Sequence, residues 1–170
     1  FDVIAAGKGT KYHKSFKFST PDTVWDHYGI SSNDAHEANM NPKMFNSFIT
    51  GDKSSIEMTA VVNGSHLEFP LKGLSYPTVS VKDISNTIIP KSKGGILGCR
   101  YQVEVISSLN DNKENINDDL RWGVFIVIEG KNNYVKSCFK QYGMKTDTSG
   151  TFSALWLSLI HISEPTRQFR

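Results

Sequence analysis

The stretch that decides the fold is residues 41–63, NPKMFNSFITGDKSSIEMTAVVN. Asn41 is a favoured N-cap, because its side-chain carbonyl can accept from the N–H groups that a first helical turn leaves unpaired. Pro42 suits the next position, where its missing N–H costs nothing and its fixed φ is already helical. Asn63 and Gly64 tolerate left-handed backbone angles and mark the exit. Between these signals Phe45, Phe48, Ile49, Ile56 and Ala60 recur at helical spacing, which predicts one helix over 41–63 with a buried apolar stripe. Asn46, Thr50, Lys53 and Glu57 follow one another at steps of four, three and four, so the same helix would carry a polar face. Such a face is ordinarily solvated. It becomes a catalytic surface only where it lines a cleft.

Upstream, residues 1–6 read as a strand and Gly7-Lys8-Gly9-Thr10 as the turn that ends it. Two glycines around a lysine let an anionic group approach backbone N–H donors, which makes Lys8, Gly9 and Lys11 candidate substrate-binding residues. The motif is neither a Walker loop nor a dinucleotide fingerprint. Lys8, Lys11, Lys14 and Lys17 recur every third residue with Tyr12, Phe16 and Phe18 between them. A non-enzymatic α+β module binding an anionic partner through that run is the alternative to an enzyme, although such runs are more often a solvated edge. Thr20-Pro21-Asp22 opens a short helix that Gly29 closes, and Ser31 or Ser32 caps another over 35–38.

Downstream, Pro70, Pro77, Pro90 and Gly94-Gly95 punctuate a loop-rich segment with one short helix near 81–86. Two strands follow, over 101–107 and 122–129, the second rich in Val, Ile and Phe. Asn132 or Asn133 caps a helix to Tyr142 whose Tyr134, Val135, Cys138, Phe139 and Tyr142 would share a buried face, with Gly143 at its end. Long helices and strands without regular βα alternation predict an α+β fold, helices packed on a mainly antiparallel sheet.

Composition narrows the function classes. The chain has 170 residues, 38% hydrophobic and 21% charged, which suits one domain with a real core. A net charge of +2 is too small to imply nucleic acid or an anionic membrane as partner. No apolar run approaches the roughly 18 residues of a spanning helix, and no signal-peptide pattern is present. Cys99 and Cys138 form neither a metal spacing nor a disulfide framework, so a cytoplasmic setting is expected. His27 and His36 have no partners at ligand spacing, and a metal requirement stays open. Residue 1 falls inside a strand, which suggests a fragment. Residues 157–167 read LSLIHISEPTR, the translation of a common transposase-derived sequencing adapter, so 157–170 are expected to be an artefact and 1–156 the domain.

The strings VIAAGKGTKY, TPDTVWDHYG, MNPKMFNSF, GDKSSIEM, QVEVISSL and DLRWGVFIVIE occur in that order. Together they resemble the middle of bacterial oxidoreductases related to homoserine dehydrogenase, the deoxyxylulose-phosphate reductoisomerase-like (DRL-like) enzymes with a C-terminal SAF domain. The resemblance implies the catalytic part of an enzyme whose separate Rossmann domain binds NAD or NADP. It also implies a small polar or phosphorylated hydroxy or keto substrate, reductoisomerisation as one version of the reaction, and a homo-oligomer when full length. The Rossmann and SAF domains would lie outside this chain, which alone is expected to be inactive. By position Lys53 resembles the substrate-facing lysine of homoserine dehydrogenases. Where those enzymes have an acidic residue one turn earlier, this chain has Ile49. Glu57 and Asn46 are the accompanying catalytic candidates, flanking Lys53 at steps of four and seven.

Overall fold

In the computed structural model, which describes residues 1–158, the first strand does not stop at the glycines. β1 runs Asp2–Thr10 without a turn. It pairs in parallel with β2 (Gln102–Ser107) and antiparallel with β3 (Gly123–Glu129). β5 (Phe152–Ser158) adds antiparallel to β3, and the short β4 (Lys145–Thr146) adds to β5. The order β2-β1-β3-β5-β4 is a mixed, mainly antiparallel sheet, and the α+β expectation holds. Gly7 and Gly9 are small for packing rather than for turning. A Cβ on Gly7 would lie 1.8 Å from the Glu104 carbonyl oxygen and 2.6 Å from the Phe125 ring. One on Gly9 would lie 1.8 Å from the Leu120 carbonyl oxygen.

The expected single helix over 41–63 is two. α3 spans Pro42–Ile49, with the Asn41 side chain accepting from the N–H groups of Lys43 and Met44 as its sequence predicts. α4 spans Asp52–Asn63. Gly51 divides them with a φ of +90°, a left-handed angle that a helix interior excludes. Tyr76 enforces the break: its hydroxyl donates to the Gly51 carbonyl at 3.0 Å and stands 2.5 Å from where a Cβ of residue 51 would be. The break rotates the second half, so Ser54 and Met58 are buried while Ile56 is 71% exposed and Ala60 is exposed. Met58 packs with Val103 and Val105, seating α4 against one face of the sheet.

The other face is covered by residues around α5 (Ile84–Thr87), which begins later than the helix expected near 81–86. Ile84, Ile88 and Leu97 meet Ile4, Ile106, Phe125 and Val127 there. Each such fully buried side chain contributes roughly 1.5–3 kcal/mol by leaving water. α1 (Val24–Tyr28), starting after Thr20-Pro21-Asp22 rather than on it, joins α2 (Ser32–Glu37) and α3 in a smaller cluster around Phe16, Trp25 and Ile49. α6 (Asn133–Gln141) is capped by Asn132, but only Phe139 of its expected stripe is buried, and Tyr134 and Tyr142 face solvent. β2 lies at the end of the sheet yet is buried throughout. Bridges from Glu68 and Thr78 cover its outer edge, and buried Glu104 accepts from the N–H and hydroxyl of Ser75. Leu157 and Ser158 continue β5 opposite Val124 and Gly123; the rest of the expected adapter-derived segment lies outside the described residues.

Two stability measurements follow from this packing. Gly7→Ala should cost at least about 3 kcal/mol in urea unfolding, because the clash is with backbone and a packed ring in the sheet interior. Asp147 closes the turn between β4 and β5, its carboxylate accepting from the N–H groups of Ser149, Thr151 and Phe152. Burial pushes its pKa up, but the Ser149 hydroxyl and these N–H groups outweigh burial and leave it below the ordinary aspartate value. A depressed carboxylate contributes stability that is full above its unfolded pKa and is lost as pH falls through the folded one. Asp147→Ala should therefore cost about 1–3 kcal/mol at pH 7 by denaturant titration, a difference that narrows as the pH falls below about 3.8.

Candidate active site

β1 delivers alternate residues to opposite faces. With Gly7 and Gly9 turned to the packed face, Lys8 rises on the face that α4 covers. Its ammonium pairs with Oε2 of Glu57 on α4. The other oxygen of Glu57 faces Nζ of Lys53, one helical turn earlier, at 4.0 Å. Lys53 also lies over the Phe48 ring, 4.3 Å from its centre. One carboxylate thus sits between two lysines, one from a strand and one from its own helix.

Beside this trio opens a cleft of about 410 Å³. Lys11 enters it from the end of β1. Its Nζ donates to the His27 carbonyl at 2.9 Å and lies 5.2 Å from the centre of the Tyr28 ring. Burial, with the neighbouring Arg121 guanidinium, lowers the Lys11 pKa from the usual lysine value. Burial raises the phenol of Tyr28, so that hydroxyl stays protonated at neutral pH. Arg121 and Trp122 reach the cleft from the segment before β3, with Arg121 held by Asn115 and, at 3.4 Å, by Asp119. The lining carries four cations, Lys8, Lys11, Lys53 and Arg121, against the single carboxylate of Glu57. Such an excess concentrates anions of substrate size.

A second hollow of about 390 Å³ adjoins the first and shares Lys8, Glu57, Arg121 and Trp122 with it. Its remaining wall is apolar, from Met58 and Val61 of α4, Val124 of β3 and Leu157 of β5.

The structure brings together Lys8, Gly9, Lys11, Lys53 and Glu57 of the residues expected from sequence. Asn46 is not with them. The helix break places it on α3, where its Nδ2 donates to the Ser19 carbonyl at 3.3 Å. Gly9 contributes backbone in a strand, not a turn of free N–H groups. The lysine run is divided: Lys8 and Lys11 line the cleft, whereas Lys14 and Lys17 are exposed on a 3-10 turn over Lys14–Phe18. Sequence reasoning missed Arg121, Trp122 and Tyr28. A polar Arg-Trp pair at the mouth of a buried strand was the one local signal, and its distance along the chain from Lys8 hid the connection. Among the described residues no three His, Cys, Asp or Glu side chains form a metal-ligating group, and no helix is long and apolar enough to cross a membrane.

No curated protein matches the chain. The family model for the oxidoreductase DRL catalytic domain does match, over residues 1–161, a span that takes in β1, α4 and the Arg121–Trp122 segment that build the cleft. The cationic cleft therefore lies within a catalytic domain, and the chain belongs to the DRL family of oxidoreductases.

Proposed function

We propose that the chain is the substrate-binding catalytic domain of an NAD(P)-dependent oxidoreductase, akin to homoserine dehydrogenase, acting on a small anionic hydroxy or keto compound. The observation that carries this reading is the cleft with four cations around one carboxylate. Phosphate or carboxylate on the substrate would meet Lys11 and Arg121, and the reacting oxygen would lie against Lys53. Ile49, at the place of the acidic residue of homoserine dehydrogenases, is 1% exposed in the helical cluster. That supports a substrate other than homoserine, since no carboxylate stands there to hold an amino group.

The described residues do not fit the dinucleotide itself. A pyrophosphate site needs a glycine loop opening a helix. Gly7 and Gly9 instead lie within β1, and Glu104, Phe125 and Leu120 occupy the space beside them. NAD or NADP is accordingly assigned to another domain, as is the SAF domain to the rest of a longer, homo-oligomeric protein.

The roles of this chain's residues follow from their geometry. Lys53, about half exposed on a rigid helix, stabilises negative charge growing on the substrate oxygen and exchanges its proton. Glu57 holds Lys53 and Lys8 in place through its two carboxylate oxygens. Lys8 lines both hollows where they adjoin.

In the enzyme assembled with its dinucleotide-binding domain, Lys53→Met should lower kcat by about 10²–10⁴-fold at saturating substrate. Stability should change by about 0.5 kcal/mol or less, because the side chain is half solvated. Near-native turnover with the fold intact would remove Lys53 from the reaction. Lys11 gives a second measurement. Sulfate keeps its charge above neutrality, so its binding reports only on the protein. A lysine with a lowered pKa loses its proton at lower pH than an ordinary one. Sulfate affinity by calorimetry should therefore start to fall below the ordinary lysine range as pH rises, and Lys11→Met should weaken binding at neutral pH and flatten that fall.

A further inference from the structure

Two hydroxyl groups lie buried in the wall of the charged cleft. Thr10 is 9% exposed and Ser54 2%, and both line the cleft together with Lys11, Lys53 and Arg121. Their positions follow from the two elements that face each other there. Thr10 stands two residues after Lys8 on β1, so strand alternation puts both side chains on the α4 side of the sheet. Ser54 precedes Met58 by one helical turn, which places it on the side of α4 that packs against the sheet. An apolar side chain at either place would seal helix to strand. Threonine and serine instead leave two hydroxyls there, and neither makes a side-chain hydrogen bond among the described residues. Burying a hydroxyl without a partner costs stability, a cost that valine or alanine would avoid. Arg121 adds a third open donor to the same cleft. Asn115 and Asp119 hold its Nη2, while its buried Nε meets no acceptor.

We propose that Thr10 and Ser54 are specificity residues, a hydroxyl pair that recognises a hydroxyl or carbonyl oxygen on an anion held by Lys11 and Arg121. This rests on the anionic-substrate reading above and deepens it, because it names the groups that tell an oxygenated substrate from its deoxygenated counterpart. The four cations of the cleft are donors only, and both oxygens of Glu57 face lysines. A hydroxyl both donates and accepts, so the pair suits an alcohol and a ketone alike, the two ends of an oxidoreductase reaction. A site built to pair with a substrate oxygen rejects the analogue that lacks it, because its own buried polar groups then stay unpaired.

Ethanesulfonate and its hydroxylated counterpart isethionate test it. They differ by one hydroxyl and stay fully ionised at any working pH, so the ratio of their affinities isolates that hydroxyl. Chemical-shift titration of the 170-residue chain should show isethionate binding about 2- to 10-fold tighter, the yield of one neutral hydrogen bond. Ser54→Ala should bring the ratio close to one. It should also unfold at no lower urea concentration than the unmodified chain, because the hydroxyl it removes has no partner. Thr10→Val, nearly the same in size and at home in a strand, is the second variant and should likewise lower the ratio. A ratio near one in the unmodified chain overturns the hydroxyl pair and leaves the anionic cleft standing. Absence of binding by either sulfonate overturns both readings. A ratio that survives in every variant that folds by circular dichroism, with the two affinities unchanged or lowered equally, assigns Thr10 and Ser54 to packing and also overturns the proposal.

Discussion

The close approach of its neighbours to β1 is the constraint on which the site depends. At Gly7 and Gly9 the backbone of β2 and of the Leu120 turn occupies the room that side chains would need. From Gly7 to Gly9 the strand therefore shows no side chain on its packed face, and its chemistry there is displaced to the other. Lys8 is raised there on a rigid support and meets Glu57 from α4. Rigid elements hold reacting groups more accurately than loops do. The pair itself adds little to stability, because both partners keep contact with water. Its value is positional: the carboxylate fixes where two ammonium groups can be.

A second chain of contacts fixes the helix that carries Glu57 and Lys53. Glu104, buried in β2, holds Ser75 by two hydrogen bonds, accepting from its N–H and its hydroxyl. The next residue, Tyr76, adopts a φ of +50° that few non-glycine residues take. From there its ring stacks on Tyr12 with centres 3.9 Å apart, and its hydroxyl grips the Gly51 carbonyl. Sheet edge, loop and helix start are thus joined through one aromatic side chain. The angle between α3 and α4 is set there, and with it the direction in which Lys53 points.

Local signals in the sequence were read correctly where the cause is local. Asn41, Ser31, Asn132 and Gly29 act at the helix ends their side chains or backbone angles imply. β2 and β3 were legible because branched and aromatic residues cluster where strands are buried. The misreadings share a different cause. Gly7 and Gly9 resemble a turn to any local rule, and only the nearness of Phe125 and Leu120, far along the chain, shows why they are small. The apolar spacing of 41–63 suits one helix, and only Tyr76 reveals that Gly51 must break it. For the site, Lys53 and Glu57 share one helical spacing, and the structure places both at the cleft. Arg121 and Trp122 required the β1–β3 register, which no single stretch contains.

The same register has a consequence for the order of assembly. β1 is made first but finds its partners only among residues 102–107 and 124–129. Meanwhile α1, α2 and α3 emerge with most of a core of their own around Phe16, Trp25 and Ile49. During synthesis the helical cluster can form while an apolar strand, Val3 to Ala6, stays unpaired beside it. Short side chains then serve the nascent chain as well as the native one. Two glycines and a lysine at the end of β1 make a poor template for premature strand pairing, which lowers the tendency of the segment that later lines the cleft to pair wrongly.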